Sequence, residues 1–405
     1  MALVLDSNPN PTNFYARLIN NQRFACIPML QLKSGGTLSG CPVACKTWGK
    51  LNEDGNNVLV ICHALTGSSD VGDWWKPLIG PGKAFDPRHF FIFCGNVLGS
   101  PYGSASPLSI NPDAARQYAS EFPQTTVRDD VKAHNLVLDA LGVNGLFARL
   151  LAPGFVRNII PIATSADHSA WGISWAETQR QCIYSDPKFD GGYYKPTPEG
   201  QPSAKLAAAR MIAMLTYRSC LSFDRRFGRK PPRSLAKVRE PPLDLPRTDV
   251  PAIESEDHDR NAVAQRRRDP SFSAQGYLHH QGEKFIRRFD ANCYLHITNK
   301  MDSHDVAYGA LVIGVETDAL FLPEQQQRLA AHLPGASLSV LKSSDGHDGF
   351  LLEFEQLDAL IKSQLRSRLP ELHAVTHRPG DSRSGDDDTT TAGADGSLTR
   401  ELDHW

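Results

Sequence analysis

The stretch Val58-Leu59-Val60-Ile61-Cys62-His63-Ala64-Leu65-Thr66-Gly67-Ser68-Ser69-Asp70-Val71-Gly72 decides how this chain is read. An unbroken apolar run ends at Cys62, the pattern of a strand covered on both faces. It gives way to a loop, His63 to Gly72, rich in glycine and serine. The arrangement recurs at Phe90 to Cys94, where FFIFC opens into a Gly/Ser/Pro loop, Gly95 to Pro107. Loops at the carboxyl ends of strands line the ligand crevice of open α/β sheets, so both are site candidates.

Upstream, Phe24 to Leu32 and Cys41 to Thr47 read as strands, with turns at Ser34-Gly35-Gly36 and Asp54-Gly55-Asn56. Downstream, Thr125-Thr126-Val127-Arg128-Asp129 reads as a helix start, a threonine cap with an acid three residues on. Val127, Val131, Leu138 and Leu141 mark the expected apolar face, and Gly142 ends the helix. Val156 to Ala163, Leu311 to Val315 and Leu338 to Leu341 read as further strands. Strands alternating with helices place the chain in the α/β class with a mainly parallel sheet.

Residues 167–305 break that rhythm. They hold helical patterns at Ala170 to Tyr184, Ala204 to Tyr217 and Tyr277 to Phe289. A polar, proline-rich stretch over about 225–272, with Arg266-Arg267-Arg268, reads as a solvated disordered loop. The expected organisation is an N-terminal extension over 1–20, a core from 21–166 and 306–370, a helical lid over 167–305, and a disordered tail over 371–405.

The 405 residues are 40% apolar and 22% charged, with a net charge of −2. That balance is ordinary for a globular enzyme and argues for neither a nucleic-acid nor an anionic-membrane partner. The eight cysteines include no CxxC pair, and no zinc site is expected. Cys62 and Cys94 end apolar runs and read as buried thiols, which fits a reducing compartment. With no leader pattern and no apolar run near ~18 residues, the expected location is cytoplasmic.

Eight stretches carry a resemblance. They are VACKTWGKLNEDGNNVLVICHALTGSSDVGDWW (Val43 to Trp75), GPGKAFDPRHFFIFCGNVLGSPYGSASP (Gly80 to Pro107), FPQTTVRDDVKAHNLVLDALGV (Phe122 to Val143) and IIPIATSADHSAWGISWAETQRQCIY (Ile159 to Tyr184). After them come RMIAMLTYRS (Arg210 to Ser219), KFIRRFDANCYLHITNKMDSHD (Lys284 to Asp305), VIGVETDALFLPEQQ (Val312 to Gln326) and GHDGFLLE (Gly346 to Glu353). Together they resemble the fungal-type homoserine O-acetyltransferases over most of residues 15–365. The resemblance implies an α/β-hydrolase fold with an inserted helical lid. It also implies acetyl transfer from acetyl-CoA to the hydroxyl of L-homoserine through an acyl-serine, a step toward methionine. Acetyl-CoA is then a co-substrate with no bound cofactor or metal, and a homodimer is expected. Acetyltransferases for serine or deacetylcephalosporin C, and a non-catalytic member, are the alternatives.

Carried onto this sequence, the resemblance assigns His347 as general base and Asp318 as the acid that orients it. A late, glycine-flanked loop suits such a base, and the acid-then-histidine order suits the fold. Glu316 is a rival acid by position, and an Asx turn is the structural alternative for Asp318. The backbone N–H of Leu65 is expected to supply half of an oxyanion hole. Arg210 and Asp348 match positions that hold the amino acid, with Arg218 as the alternative guanidinium. The chemistry is a fork gripping a carboxylate and a carboxylate receiving an ammonium. Trp74 with Trp75, and Trp171 with Trp175, read as core packing ahead of pocket walls.

The nucleophile is missing. This fold sets a serine on a strained strand-to-helix turn of G-x-S-x-G type, between the helix ending at Gly142 and the strand near Ile159. From Gly142 to Val156 the chain has no serine, cysteine or threonine. Only thirteen residues separate those two, whereas a strand, a tight turn and a helix need about 20. The central strand and elbow are therefore expected to be deleted. A second shortening is expected between His304-Asp305 and Leu311. Both predict poor folding and little or no transferase activity for the chain as written.

Overall fold

The computed structural model describes residues 2–143, 158–231, 270–304, 311–332 and 336–370. Strands β2 (Arg23–Gln31) and β3 (Thr37–Trp48) form a long antiparallel hairpin. Its turn is closed by Leu32 N–H donating to Gly36 O at 2.8 Å, with Gly35 at φ +89°. That backbone region excludes most side chains, which is why the turn reads Ser-Gly-Gly. Strand β1 (Leu3–Leu5) adds antiparallel to β2, so part of the expected N-terminal extension belongs to the sheet.

Strand β4 is Val58–Val60 and β5 is Phe91–Gly95, and the sheet order is β1-β2-β3-β5-β4. The β4–β5 pair is parallel, as the two buried runs predict. A two-residue hairpin follows, β6 (Ile110–Asn111) and β7 (Arg116–Gln117). Strands β8 (Leu311–Val315) and β9 (Ser337–Leu341) form a separate parallel pair. Of the strand expected over Val156 to Ala163, the described part makes one parallel bridge, Ile162 to Ile313.

Among the described residues no strand lies between β4 and the Ile162 segment. Val60 is 46% exposed and Ile159 42%. Cys62 is exposed, contrary to the buried thiol expected, because it follows the edge strand of this sheet, whereas Cys94 is fully buried. The segment where the elbow belongs, 144–157, lies outside the described residues, as do 305–310.

Packing joins the two groups of strands. Ile61, Trp74, Trp75, Phe90 and Ile92 from one side share a core with Ile313, Val315, Leu341, Phe350 and Ile361 from the other. Helix α1 is Val71–Trp74 and α2 is Val127–Ala140. The Asp129 carboxylate accepts from the Thr126 N–H at 2.8 Å, the expected cap. The buried face of α2 differs from expectation. Val131 is 45% exposed, while Asp129, Asp130, Ala133, Val137 and Leu138 turn inward. The two aspartates face the interior because they anchor the backbone there: Asp129 accepts from Lys33 N–H and Asp130 from Leu98 N–H, each at 2.8 Å.

Helices α3 (Ala170–Tyr184), α4 (Ser203–Tyr217), α5 (Cys220–Arg226), α6 (Ser273–Ile286) and α7 (Ala291–Asp302) follow. Of these, α3, α4, α6 and α7 pack around Ile183, Leu206, Phe285, Phe289 and Tyr294, while α5 packs through Phe223 with Met214 and Tyr277. Helix α6 starts earlier and ends earlier than its pattern predicts. Asp290, whose Oδ1 accepts from Cys293 N–H, then opens α7. Arg225 and Arg226 belong to α5, at the start of the stretch expected to be a loop, while the triple arginine and the tail lie outside the described residues. Helices α8 (Pro323–His332), α9 (Gly349–Leu352) and α10 (Phe354–Arg368) complete the chain. Among the described residues no helix is long and apolar enough to cross a membrane, and no His/Cys/Asp/Glu group could hold a metal ion.

Candidate active site

Asp318 and His347 stand on the turns that leave β8 and β9. Asp318 is buried, and its two oxygens divide the work. Oδ1 accepts from Leu320 N–H and Phe321 N–H at 2.9 Å each, the Asx-type turn that the sequence left open. Oδ2 lies 2.9 Å from Nδ1 of His347. Asp318 therefore makes the Asx-type turn and meets the His347 ring at once. Glu316, the rival acid by position, is exposed.

The His347 ring sits among three aromatic rings, with centroids at 5.2 Å from Phe350, 5.4 Å from Phe321 and 6.3 Å from Tyr217. Burial pushes its pKa down. The Asp318 charge and hydrogen bond, with Asp348 beyond, outweigh that and leave it raised above 6.5. An imidazole so held can take a proton at Nε2 while its Nδ1–H stays on Asp318.

Asp348 is the next residue and is 3% exposed. Burial, chiefly, pushes its carboxyl up to about 6 against the pull of Arg218, His347 and Arg210. Arg210, also buried, lies between the Tyr217 and Phe285 rings, at 4.9 and 5.0 Å, with Nη1 donating to Tyr217 Oη at 2.9 Å. Arg218 is turned the other way, onto Asp345 at 2.9 Å and Asp348 at 3.7 Å. Asp348 was named in the sequence, but its pairing with Arg218, and that of Asp345, was not. The signal was the adjacency of Tyr217 and Arg218 at the end of α4, which sends the two side chains in different directions.

Leu65 lies in a loop fixed from several sides. Gly67 N–H donates to Ala64 O at 2.8 Å, and Arg288 Nη1 to Thr66 O at 3.1 Å. His63 bridges the two candidate loops, with Nδ1 2.8 Å from Ala64 O and Nε2 accepting from Val97 N–H at 3.2 Å. Burial above all pushes His63 down to about 4, so the neutral ring keeps that tautomer near pH 7. A tryptophan pair connects this side to the base. Trp74 and Trp75 are buried, and Trp75 Nε1 donates to Phe350 O at 3.2 Å. Trp171 is 51% exposed, so the second tryptophan pair is only partly core.

None of the serines in the recognised motifs bonds to His347 among the described residues. Ser69 donates to Gln22, Ser104 to Asn96 O and Ser165 to Asp167 O, while Ser68, Ser100, Ser106 and Ser169 accept from nearby backbone N–H groups.

A family model described as the alpha/beta hydrolase fold matches residues 57–354. The homoserine O-acetyltransferase of Cryptococcus neoformans is 41% identical, covering 91% of this chain and 93% of the relative. That alignment runs over 492 positions, more than the 405 of this chain, so the relative carries stretches with no counterpart here. The homoserine O-acetyltransferase of Schizosaccharomyces pombe is also 41% identical, covering 90% of each chain. In structure, the homoserine O-acetyltransferase of Bacillus anthracis aligns with a TM-score of 0.68 at 20% identity, over 85% of this chain and 96% of that one. With identity above 40% across nearly its whole length, the chain belongs to the homoserine O-acetyltransferase family, on the α/β-hydrolase fold.

Proposed function

We propose that this chain descends from an enzyme that acetylates the hydroxyl of L-homoserine from acetyl-CoA, and that it keeps the base, the acid and the amino-acid pocket but not the nucleophile. The observation that carries this reading is the 2.9 Å His347–Asp318 contact between turns that follow two parallel strands. His347 is the base and Asp318 orients it. The Leu65 N–H faces the carbonyl oxygen during transfer. Arg210 receives the α-carboxylate and Asp348 the α-ammonium.

The two-step chemistry sets the requirement. A serine oxygen attacks the thioester carbonyl while His347 takes its proton, and the CoA thiolate leaves with that proton. The homoserine hydroxyl then attacks the acyl-serine, its proton going to His347 and on to the serine. Without a hydroxyl or thiol between Gly142 and Val156, the first bond has no donor at the expected place.

Incubation with radiolabelled acetyl-CoA tests the proposal on two proteins: the 405-residue chain, and a version in which a relative's longer segment replaces residues 143–156. Stable label is expected on the lengthened chain alone, with CoA release that saturates in homoserine. Acyl-serine on the 405-residue chain, or robust CoA release by it, overturns the reading.

A further inference from the structure

The turn that carries His347 is held from outside by the end of α4 and the start of α5. Arg218 is buried, and its Nη1 donates to Asp345 Oδ1 at 2.9 Å and to Ser222 Oγ at 3.2 Å. Its Nε lies 3.7 Å from Asp348 Oδ2. Asp345 and Asp348 flank His347 on either side. Ser219 Oγ donates to Ser344 O, and Ser222 Oγ to Asp345 Oδ1 at 2.5 Å. Gly346 has φ +71°, and a Cβ there would stand 2.8 Å from the Arg218 carbonyl carbon. The two backbones touch.

Asp348 Oδ2 is buried and takes no hydrogen bond from the protein. A carboxylate in that position ionises only if cations stand near it. The charged and titratable groups around it are Arg218, Arg210 from α4, His347 and Asp345 from its own turn, and Tyr277 from α6, whose phenol burial and Asp348 push up to about 12. Among the described residues Arg218 has an ion pair with it, and Arg218 also grips the other flank of the turn.

We infer that Arg218 is a positioning residue, which latches the His347 turn to the end of α4 by gripping Asp345 and Asp348 together and keeps Asp348 charged. The latch needs no nucleophile. Its consequence for an amino acid, that Asp348 is ready to receive an ammonium group, rests on the proposed function.

The sign of the effect follows from charge. With Arg218→Met, Asp348 must either hold a proton, at a cost that grows with pH, or stay charged without its partner, a cost that low pH avoids. A residue that only fills space would weaken the fold equally at every pH. Thermal unfolding of the full chain at pH 4.5 and pH 8 distinguishes these, for Arg218→Met, Arg218→Lys, Asp348→Asn and Arg218→Met with Asp348→Asn. The expected loss in Tm for Arg218→Met is larger at pH 8 by about 3 °C or more. The lysine variant keeps most of the stability, and in the Asp348→Asn background the pH dependence of the loss shrinks to what the Asp345 pair contributes. Equal losses at both pH values, or a pH dependence unchanged by Asp348→Asn, overturn the inference. If Arg218→Met yields no folded protein, Arg218→Gln, which removes the charge but keeps a hydrogen-bonding amide, carries the same comparison in the two backgrounds. Calorimetry with L-homoserine is the second arm. Wild type is expected to bind, and Arg218→Met to bind at least ~10-fold more weakly. A wild-type chain that binds no homoserine sinks the amino-acid reading of the pocket, while the thermal cycle still decides the latch.

Discussion

Lys300 Nζ lies 2.9 Å from both carboxylate oxygens of Asp130, across 170 residues of sequence. Its remaining donor goes to Leu98 O at 2.6 Å, and Asp130 accepts from Leu98 N–H. One ion pair therefore holds both backbone groups of Leu98, in the loop after β5. Both side chains are buried. Removing one partner strands a charge, so Lys300→Met is expected to destabilise by about 3–5 kcal/mol. Chemical denaturation measures this. A loss under ~1 kcal/mol would mean that water already reaches the pair.

His347 sets the second expectation, for the chain with its elbow restored. His347→Ala should lower kcat by about 10²–10⁴. The base must be neutral to act, and its pKa is raised. The acid limb of the rate profile is therefore expected above pH 6.5, and Asp318→Asn should move it down. A limb unmoved by Asp318→Asn would detach the two residues.

Asp348 gives stability a slope of defined sign. Its carboxyl is raised from 3.8 to about 6, so the folded state holds that proton more tightly between those values. Stability contributed there falls as pH rises through the window. His347 is raised as well, so its contribution is complete below 6.5 and is lost as pH climbs through its higher folded value. Asp348→Asn should flatten the first fall and, because Asp348 also helps to raise His347, reduce the second without abolishing it, as read by unfolding midpoints at half-unit pH steps.

Gly346→Ala should destabilise by about 2–4 kcal/mol, from a φ that side chains avoid and from collision with the Arg218–Ser219 backbone. Gly82, at φ +74° with open space, is the control and should lose only about 1 kcal/mol.

The edge of β4 invites association. Val60 and Ile159 are half-exposed, and β4 pairs on one side only among the described residues. Apolar strand edges of this kind recruit other chains. The 405-residue protein is expected to aggregate on concentration, and Val60→Lys to delay this, by light scattering. Unchanged scattering in the variant would place the sticky surface elsewhere.

Much of this was legible in the sequence. Strands β2, β3, β5, β8 and β9, and helices α2, α3 and α4, fall where periodicity and turn residues put them, because each is a local pattern. His347 and Asp318 were named through the family resemblance, which their places after two strands also suit, and the structure brings the two side chains together. Val131, Cys62 and Trp171 were misjudged because exposure is set by what lies opposite. An apolar residue looks the same in sequence whether or not a neighbouring strand covers it. The grip of Arg218 on two acids joins residues 127 and 130 positions apart, and no local pattern encodes it.

The end of the described ladder at β4 has a mechanical consequence. A ladder of peptide hydrogen bonds is stiff and directional, so it resists one strand sliding past another. An apolar layer has no preferred direction and yields to shear. Where the described ladder stops, the loop of Leu65 and the turn of His347 are aligned through Trp75, Phe350 and their neighbours instead. Trp75 thus stands at the joint, both in the apolar layer and through its hydrogen bond to Phe350 O. Trp75→Leu, which thins that layer and removes that bond, is therefore expected to disturb the alignment of the loop and the turn before it disturbs either alone.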